Sequence, residues 1–185
     1  MTPMDQLQSL EFRILRDTIR ARGGLRLMLS LAGLAVWALT LVAVLAWLPY
    51  PIAGTIPLLL LAATFEVNRM LHLGVERIGR YLQVFYEESQ VPGSGTPAWE
   101  HTAMSFGPTA PGAGGHPLLL PLFIFATLIN FLSVVLPDPI PLELGVMTAP
   151  HVSFVIWTLY ADRGMRQQRS RELERYRALR QERGH

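Results

Sequence analysis

The sequence predicts an all-α, polytopic membrane protein with four transmembrane helices in two hairpins and cytoplasmic amphipathic helical extensions. Three observations lead to this fold class. Half of the 185 residues are hydrophobic (50%) and only 16% are charged, which is unusual for a soluble domain of this length. Four apolar stretches approach the ~20 residues that a helix needs to cross a bilayer. The basic residues all lie on one side of these stretches.

The four apolar stretches are residues 27–48, 52–72, 118–136 and 144–161. A short Pro-containing turn joins the first to the second and the third to the fourth, which predicts transmembrane hairpins over residues 25–72 and 117–161. The second stretch is the weakest, because its unbroken apolar part ends at Glu66. A buried core helix is the alternative for it, but its pairing with a strongly apolar first stretch favours a membrane hairpin.

The distribution of arginine predicts the orientation. All 16 basic residues are Arg; five precede the first apolar stretch, three lie in the last turn of the second or after it, and eight follow the fourth. The two turns on the opposite side carry no basic residue. The positive-inside rule then places both termini and the central loop in the cytoplasm. The absence of Lys and the abundance of Ala, Gly, Pro and Leu indicate a GC-rich bacterial genome, and so a bacterial inner membrane.

Four cytoplasmic segments flank the hairpins. Residues 1–24 form a predicted amphipathic helix that begins near Thr2 and ends or bends at Gly23 and Gly24. Residues 73–90 continue the second span as an amphipathic helix. Residues 91–116 are rich in Gly and Pro and predict a loop, in which Trp99 and Phe106 are expected to dock onto the chain's own helices or a partner.

The fourth segment, residues 162–185, predicts an Arg-rich helix with ion pairs at i,i+3 spacing between Glu172 and Arg175 and between Glu174 and Arg177. Its excess of positive charge favours contact with anionic lipid headgroups. Nucleic acid is not an expected partner, because acidic residues alternate with the Arg and aromatic residues are scarce.

Four polar residues, Glu66, Arg69, His72 and Glu76, follow one face of the second span and its extension. Charged groups at membrane depth are costly and raise the hypothesis of a functional site. We expect an internal stripe of ion pairs, in which Arg69 pairs with Glu66 at i+3. The alternative is a proton or ion path through Glu66 and His72. No metal is expected, because His72 and Glu76 supply only two ligands.

A second polar set consists of Thr40, Asn130 and His151. Each lies ~9–12 Å from the outer end of its span at 1.5 Å per residue. The sequence therefore predicts a hydrogen-bonded layer between neighbouring helices. The alternative is that His151 is an axial ligand to a haem or chlorophyll-type pigment; otherwise no cofactor is expected.

The fourth span also carries a ladder of small residues, Gly145, Ala149 and Ser153, spaced four apart. Small residues let helix backbones approach closely. His151 lies on a different face of the same helix, so it is expected to face lipid or another subunit if the small residues pack inside the chain. Four helices cannot bury every such face, which predicts a protein partner or a second copy.

The sequence contains no hydrolytic triad, nucleotide loop or paired-carboxylate site, and no Cys. The function we expect is therefore that of a non-catalytic accessory or scaffolding subunit of a bacterial inner-membrane complex. Respiratory and photosynthetic complexes are two possible settings. Two alternatives stay open: a small ion or proton channel or transporter that uses Glu66 and His72, and a pigment-binding subunit that uses His151.

Overall fold

The computed structural model of the chain describes residues 3–48, 50–88 and 119–182. Of these residues 94% are helical and none forms a strand, which confirms the all-α fold. The helices are α1 (Pro3–Trp47), a 3-10 turn (Pro51–Gly54), α2 (Thr55–Leu82), a π-helical turn (Gln83–Glu87), α3 (Leu119–Val135) and α4 (Pro141–Glu182). The positions of Thr2, Trp99 and Phe106 lie outside the described residues.

Three of these helices are long and apolar enough to cross a membrane: α1 over Gln6–Trp47, α2 with its flanking turns over Pro51–Glu87, and α4 over Pro141–Glu182. The helix α3 is also apolar but shorter, with Leu120–Val135 as its apolar part. The chain is thus built from membrane-length helices, as its composition predicts.

Of the end or bend predicted at Gly23 and Gly24, the end does not occur, because α1 continues through both residues as one helix. A glycine inside a helix costs ~1 kcal/mol relative to alanine. Contacts on both sides of the pair offset this cost. Phe12 packs against Tyr86 with 5.5 Å between ring centroids, and Arg26 hydrogen-bonds His72. Both contacts join α1 to the segment of α2 and its π-helical turn.

The chain divides into two compact units, and the three long helices each contribute to both. Unit 1 comprises Met1–Arg26, Leu71–Gly115 and Gly164–His185, and unit 2 comprises Leu27–Met70 and His116–Arg163. The predicted spans fall in unit 2, apart from Leu71 and His72. The predicted extensions fall in unit 1, apart from Asp162 and Arg163.

Unit 2 has an apolar core formed where the helices meet. From α2, Leu58, Leu61 and Phe65 point inward at helical spacing and are at most 5% exposed. The Phe65 ring meets Phe123 of α3 edge-on at 5.2 Å and Phe154 of α4 at 6.0 Å. One apolar seam on each helix therefore supplies the core, and Leu34, Ala62 and Ile129 pack against it. Many of the other apolar side chains of unit 2 are exposed.

Two glycines in unit 2 allow close backbone approach. Gly33 of α1 lies directly against the side chain of Thr64 of α2, so that a methyl group there would collide with it. Gly54, in the 3-10 turn, lies similarly against Ser133 of α3. Close crossings through small residues are typical of helices packed in membranes, where dispersion contacts and hydrogen bonds hold them together.

Candidate functional site

The most completely bonded polar group in unit 2 is the carboxamide of Asn130, which is fully buried. Its Oδ1 accepts a hydrogen bond from Nε1 of Trp37 at 3.0 Å. Its Nδ2 donates to the carbonyl oxygen of Gly54 at 2.9 Å and to Nε2 of His151 at 3.0 Å. Asn130 thereby links α1, the 3-10 turn and α4 from its place on α3.

This network determines the protonation of His151. Its Nδ1 lies 2.8 Å from the carbonyl oxygen of Met147, which can only accept, so Nδ1 carries the hydrogen and donates it. Its Nε2 is then the acceptor for Asn130. The imidazole is neutral, both of its nitrogens are occupied, and it is 4% exposed. A haem or pigment ligated by His151 would have to displace Asn130 from Nε2.

Two of the three residues predicted for the polar layer do meet, Asn130 and His151. Thr40 instead donates its hydroxyl hydrogen to the carbonyl oxygen of Val36 on its own helix. Trp37, one turn earlier on α1, takes the expected place of Thr40. Sequence reasoning missed Trp37 because its single donor is attached to a large apolar ring.

The small residues of α4 lie on the outer surface. Gly145, Ala149 and Ser153 are all exposed, whereas His151 and Phe154 are buried. The expectation that His151 faces lipid or another subunit depended on the small ladder being inside, and the structure has the opposite arrangement. The hydrogen bonds of His151 and the packing of Phe154 against Phe65 explain which face of α4 turns inward.

The structure does not bring Glu66, Arg69, His72 and Glu76 into one site. Glu66 and Arg69 pair with each other in unit 2, with Nε of Arg69 donating to Oε2 of Glu66 at 2.8 Å. The guanidinium of Arg69 also lies over the ring of Trp157, 5.7 Å from its centroid. His72 and Glu76 belong to unit 1 and have other partners.

A fifth polar residue of α2, Asn68, has a more buried position than Glu66. Its side chain is fully buried, its Nδ2 donates to the carbonyl oxygen of Thr64, and its Oδ1 accepts from the hydroxyl of Ser30 on α1. Asn68 continues the inward seam of Leu61 and Phe65 at helical spacing. That spacing is the sequence signal that would have found it.

In unit 1, His72 is bound to α1. Nη1 of Arg26 lies 2.9 Å from Nδ1 of His72. A guanidinium can only donate, so Nδ1 accepts and the imidazole is neutral. His72 is 8% exposed. One helical turn before Arg26, the guanidinium of Arg22 lies across the backbone of Gly74, where a methyl group would come within 2.8 Å of its Nη1.

Glu76 is bound to a second basic residue, Arg80, whose side chain is 2% exposed. Nη1 of Arg80 donates to Oε2 of Glu76 at 2.9 Å, and its Nε donates to Oε2 of Glu172 on α4 at 2.8 Å. Arg77 donates to the other oxygen of Glu172 at 3.2 Å. The two carboxylates neutralise a buried guanidinium, which would otherwise be strongly destabilising.

The same cluster changes the pKa of Glu172. Burial alone would raise that pKa, but hydrogen bonds from Gln168 and Arg80, together with the positive charge of Arg80, lower it by more. The pKa of Glu172 therefore lies below its ordinary value. Glu172 stays ionised and keeps α2 paired with α4 over the neutral pH range.

The prediction of ion pairs within the C-terminal helix is wrong, because Glu172 and Arg177 pair with residues outside that helix. Glu172 pairs with Arg77 and Arg80 of α2 instead of Arg175. Arg177 donates to Glu88 at 2.7 Å instead of Glu174. An i,i+3 pair on an exposed helix contributes only ~0.2–0.5 kcal/mol, so a partner on a packed neighbouring helix competes easily.

An aromatic cluster surrounds Glu11 in unit 1. The phenolic hydroxyls of Tyr81 and Tyr86 both donate to its carboxylate, at 2.9 and 2.6 Å. Burial, and then the hydrogen bond to Glu11, raises the pKa of Tyr86 above its ordinary value. Tyr176 of α4 packs edge-on against Tyr81 and Phe85. These rings hold the three helices of unit 1 together.

Within the described parts of the chain, one buried acceptor has no hydrogen-bond partner. It is Oε1 of Gln83, at the start of the π-helical turn, and the side chain is 3% exposed.

No group of three or more His, Asp or Glu side chains suited to a metal occurs within residues 3–48, 50–88 and 119–182. No family model, curated protein or solved structure matches the chain.

Proposed function

We propose that this protein is a non-catalytic accessory or scaffolding subunit of a bacterial inner-membrane complex. In this role it crosses the membrane four times as two hairpins, with both termini in the cytoplasm. It binds other membrane subunits, or further copies of itself, through the outer faces of its transmembrane helices. The Arg-rich cytoplasmic segments contact anionic lipid headgroups and partners. It requires no cofactor for this function.

The exposed small-residue face of α4 is the observation that carries this proposal. Gly145, Ala149 and Ser153 form it, and no described part of the chain covers it. Small residues facing outward in a membrane give lipid little to pack against, but they let a second helix approach to backbone contact. This face is therefore suited to a transmembrane helix of a partner or of another copy.

The polar interior of unit 2 supports a structural role. Each polar side chain buried among its described residues has a hydrogen-bond partner within the chain. A transport or catalytic site needs polar groups that stay available for a ligand. Here Asn68, Asn130 and His151 bond side chains of other helices, which suits a scaffold. Thr127, Ser133 and Thr158 bond carbonyl oxygens of their own helices.

The two alternatives receive less support from the geometry. A path through Glu66 and His72 would need both groups to accept or release a proton or ion. Glu66 is instead engaged by Arg69, and Nδ1 of His72 by Arg26. A pigment on His151 would need a free imidazole nitrogen, and both nitrogens of His151 are hydrogen-bonded.

The test is to enlarge one residue of the exposed face. We expect Ala149→Leu to lose co-purifying subunits, or the homo-oligomer, after gentle detergent extraction and mass spectrometry. The reason is that a leucine side chain would hold the partner helix away from the backbone. Membrane insertion and helix content should stay unchanged, because Ala149 is exposed.

The matched control is Ala35→Leu on α1, which is also an exposed alanine within an apolar stretch. It should leave the assembly intact. If Ala149→Leu purifies with the same subunits and the same mass as the wild type, the small face is not the interface. A wild-type chain that is monomeric and free of partners in several mild detergents would contradict the scaffold role itself.

A further inference from the structure

We propose that Arg22, Arg26 and His72 form a binding site for the phosphate group of an anionic phospholipid. All three belong to unit 1, on the facing sides of α1 and α2. This site is separate from the Arg-rich C-terminal helix, and the inference does not depend on the proposed scaffold role.

Both arginines of the site contact α2. His72, which is 92% buried, accepts from Nη1 of Arg26 and so fixes its guanidinium. Gly74 has no side chain, and Nη1 of Arg22 lies within 2.8 Å of where a methyl group would be. A side chain at position 74 would occupy that space. Arg22 and Arg26 are four residues apart on a continuous helix, so they lie on the same face.

The charge of the site favours an anion. Arg22 is exposed and has no ion pair among the residues that the structure describes. Its guanidinium therefore adds a positive charge to the site that no described carboxylate neutralises. The nearest carboxylate on α2 within unit 1, Glu76, is bound to Arg80. A phosphate offers only acceptor oxygens, which match the donor array of a guanidinium.

The position of the site along the chain indicates a lipid as the source of the phosphate. Arg26 directly precedes the apolar stretch of residues 27–48, and His72 ends the stretch of residues 52–72. Both therefore lie where an apolar helix segment gives way to a polar one, which is the depth of lipid headgroups. Basic pockets between transmembrane helices at this depth bind anionic headgroups.

The experiment titrates phosphatidylglycerol into the delipidated full-length chain in detergent, with native mass spectrometry as the readout and phosphatidylcholine of the same acyl chains as reference. We expect phosphatidylglycerol to bind more tightly. Arg22→Gln should weaken that preference about fivefold, the effect of removing one Arg near a headgroup. Gly74→Ala keeps every charge but displaces Arg22, and should weaken it similarly.

Two controls separate a specific site from general attraction. Arg20→Gln removes the same charge from an exposed position of the same helix, and Gly164→Ala adds a methyl group where nothing lies within 4 Å. Both should change the preference less than twofold. An equal loss in Arg20→Gln and Arg22→Gln, or no loss in Arg22→Gln, would overturn the proposal. Arg22 is exposed, so its variant tests the site even if Gly74→Ala fails to fold.

A second arm distinguishes the two sources of phosphate. Millimolar inorganic phosphate should neither displace phosphatidylglycerol nor protect the lipid-free chain against heat. If inorganic phosphate does both, and the effect disappears in Arg22→Gln, the ligand is a soluble phosphate and the assignment to lipid is wrong.

Discussion

Asn130 is the residue on which the polar interior of unit 2 depends. A single carboxamide satisfies the indole of Trp37, the carbonyl of Gly54 and the imidazole of His151. Its two donors and its acceptor oxygen are all used, which leaves no ambiguity about which end of the amide faces which partner. Few other side chains could replace it, since none of similar size both donates twice and accepts.

Replacement of Asn130 tests this role. We expect Asn130→Ala to lower the free energy of unfolding by ~2 kcal/mol, because it leaves three buried polar groups without a partner. Denaturation of the purified protein, followed by tryptophan fluorescence, measures the loss.

The control is Thr40→Val, because the hydroxyl of Thr40 bonds only its own helix. This change should cost less than ~0.5 kcal/mol. Equal losses in the two variants would show that the network linking the helices adds nothing beyond local packing.

The polar stripe of α2 is partly buried against neighbouring helices, although its residues are polar or charged. Its residues are spaced so that they share a face, yet some of them are buried more deeply than the apolar residues opposite. His72 is 8% exposed and Arg80, four residues after Glu76, is 2% exposed, whereas Val67 is 43% exposed. The stripe faces the neighbouring helices because ion pairs and hydrogen bonds across them, such as Arg80 with Glu172, satisfy it there.

The pairing between α2 and α4 should depend on pH. The pKa of Glu172 is lower in the folded than in the unfolded protein. Its stabilising contribution is therefore complete above the unfolded pKa and is lost as the pH falls through the folded one. We expect hydrogen-exchange protection of residues 164–182 to fall over this acidic range.

Glu172→Gln should show reduced protection already at neutral pH, with a loss of ~1–2 kcal/mol, and a weaker dependence on acid. Glu174→Gln is the control, since it removes an exposed carboxylate two residues away on the same helix. If Glu174→Gln matches Glu172→Gln in both respects, the bridge to Arg80 does not hold the two helices together.

The arrangement of the whole chain in the membrane can be tested by labelling, since the protein contains no native cysteine. The proposed topology places Tyr50 and Ile140 outside and residues 8 and 181 in the cytoplasm. We expect a membrane-impermeant maleimide to label Tyr50→Cys and Ile140→Cys on intact bacterial cells. All of these positions are exposed on the protein surface.

Gln8→Cys and Gln181→Cys should react only after the cells are opened, which serves as the control for membrane integrity. Labelling of Gln181→Cys on intact cells, or protection of Ile140→Cys, would mean that α3 or α4 does not cross. Two hairpins would then be the wrong architecture, and the charge distribution would not determine the orientation.

The sequence by itself determined the all-α fold, the membrane-length helices and the approximate positions of the polar side chains. These follow from composition and from helical periodicity, which are local properties of the chain. It also found the pairs Glu66–Arg69 and Asn130–His151, the first from spacing and the second from depth along the helices.

Only the tertiary structure decided which face of each helix points inward and which partner each polar group takes. It put Trp37 in place of Thr40, Asn68 in the buried seam, Glu172 beside Arg80, and the small residues of α4 outside. The physical reason is that each helix has more than one face that could pack against its neighbours. The choice among them depends on hydrogen bonds and packing between residues far apart in sequence, which no local pattern specifies.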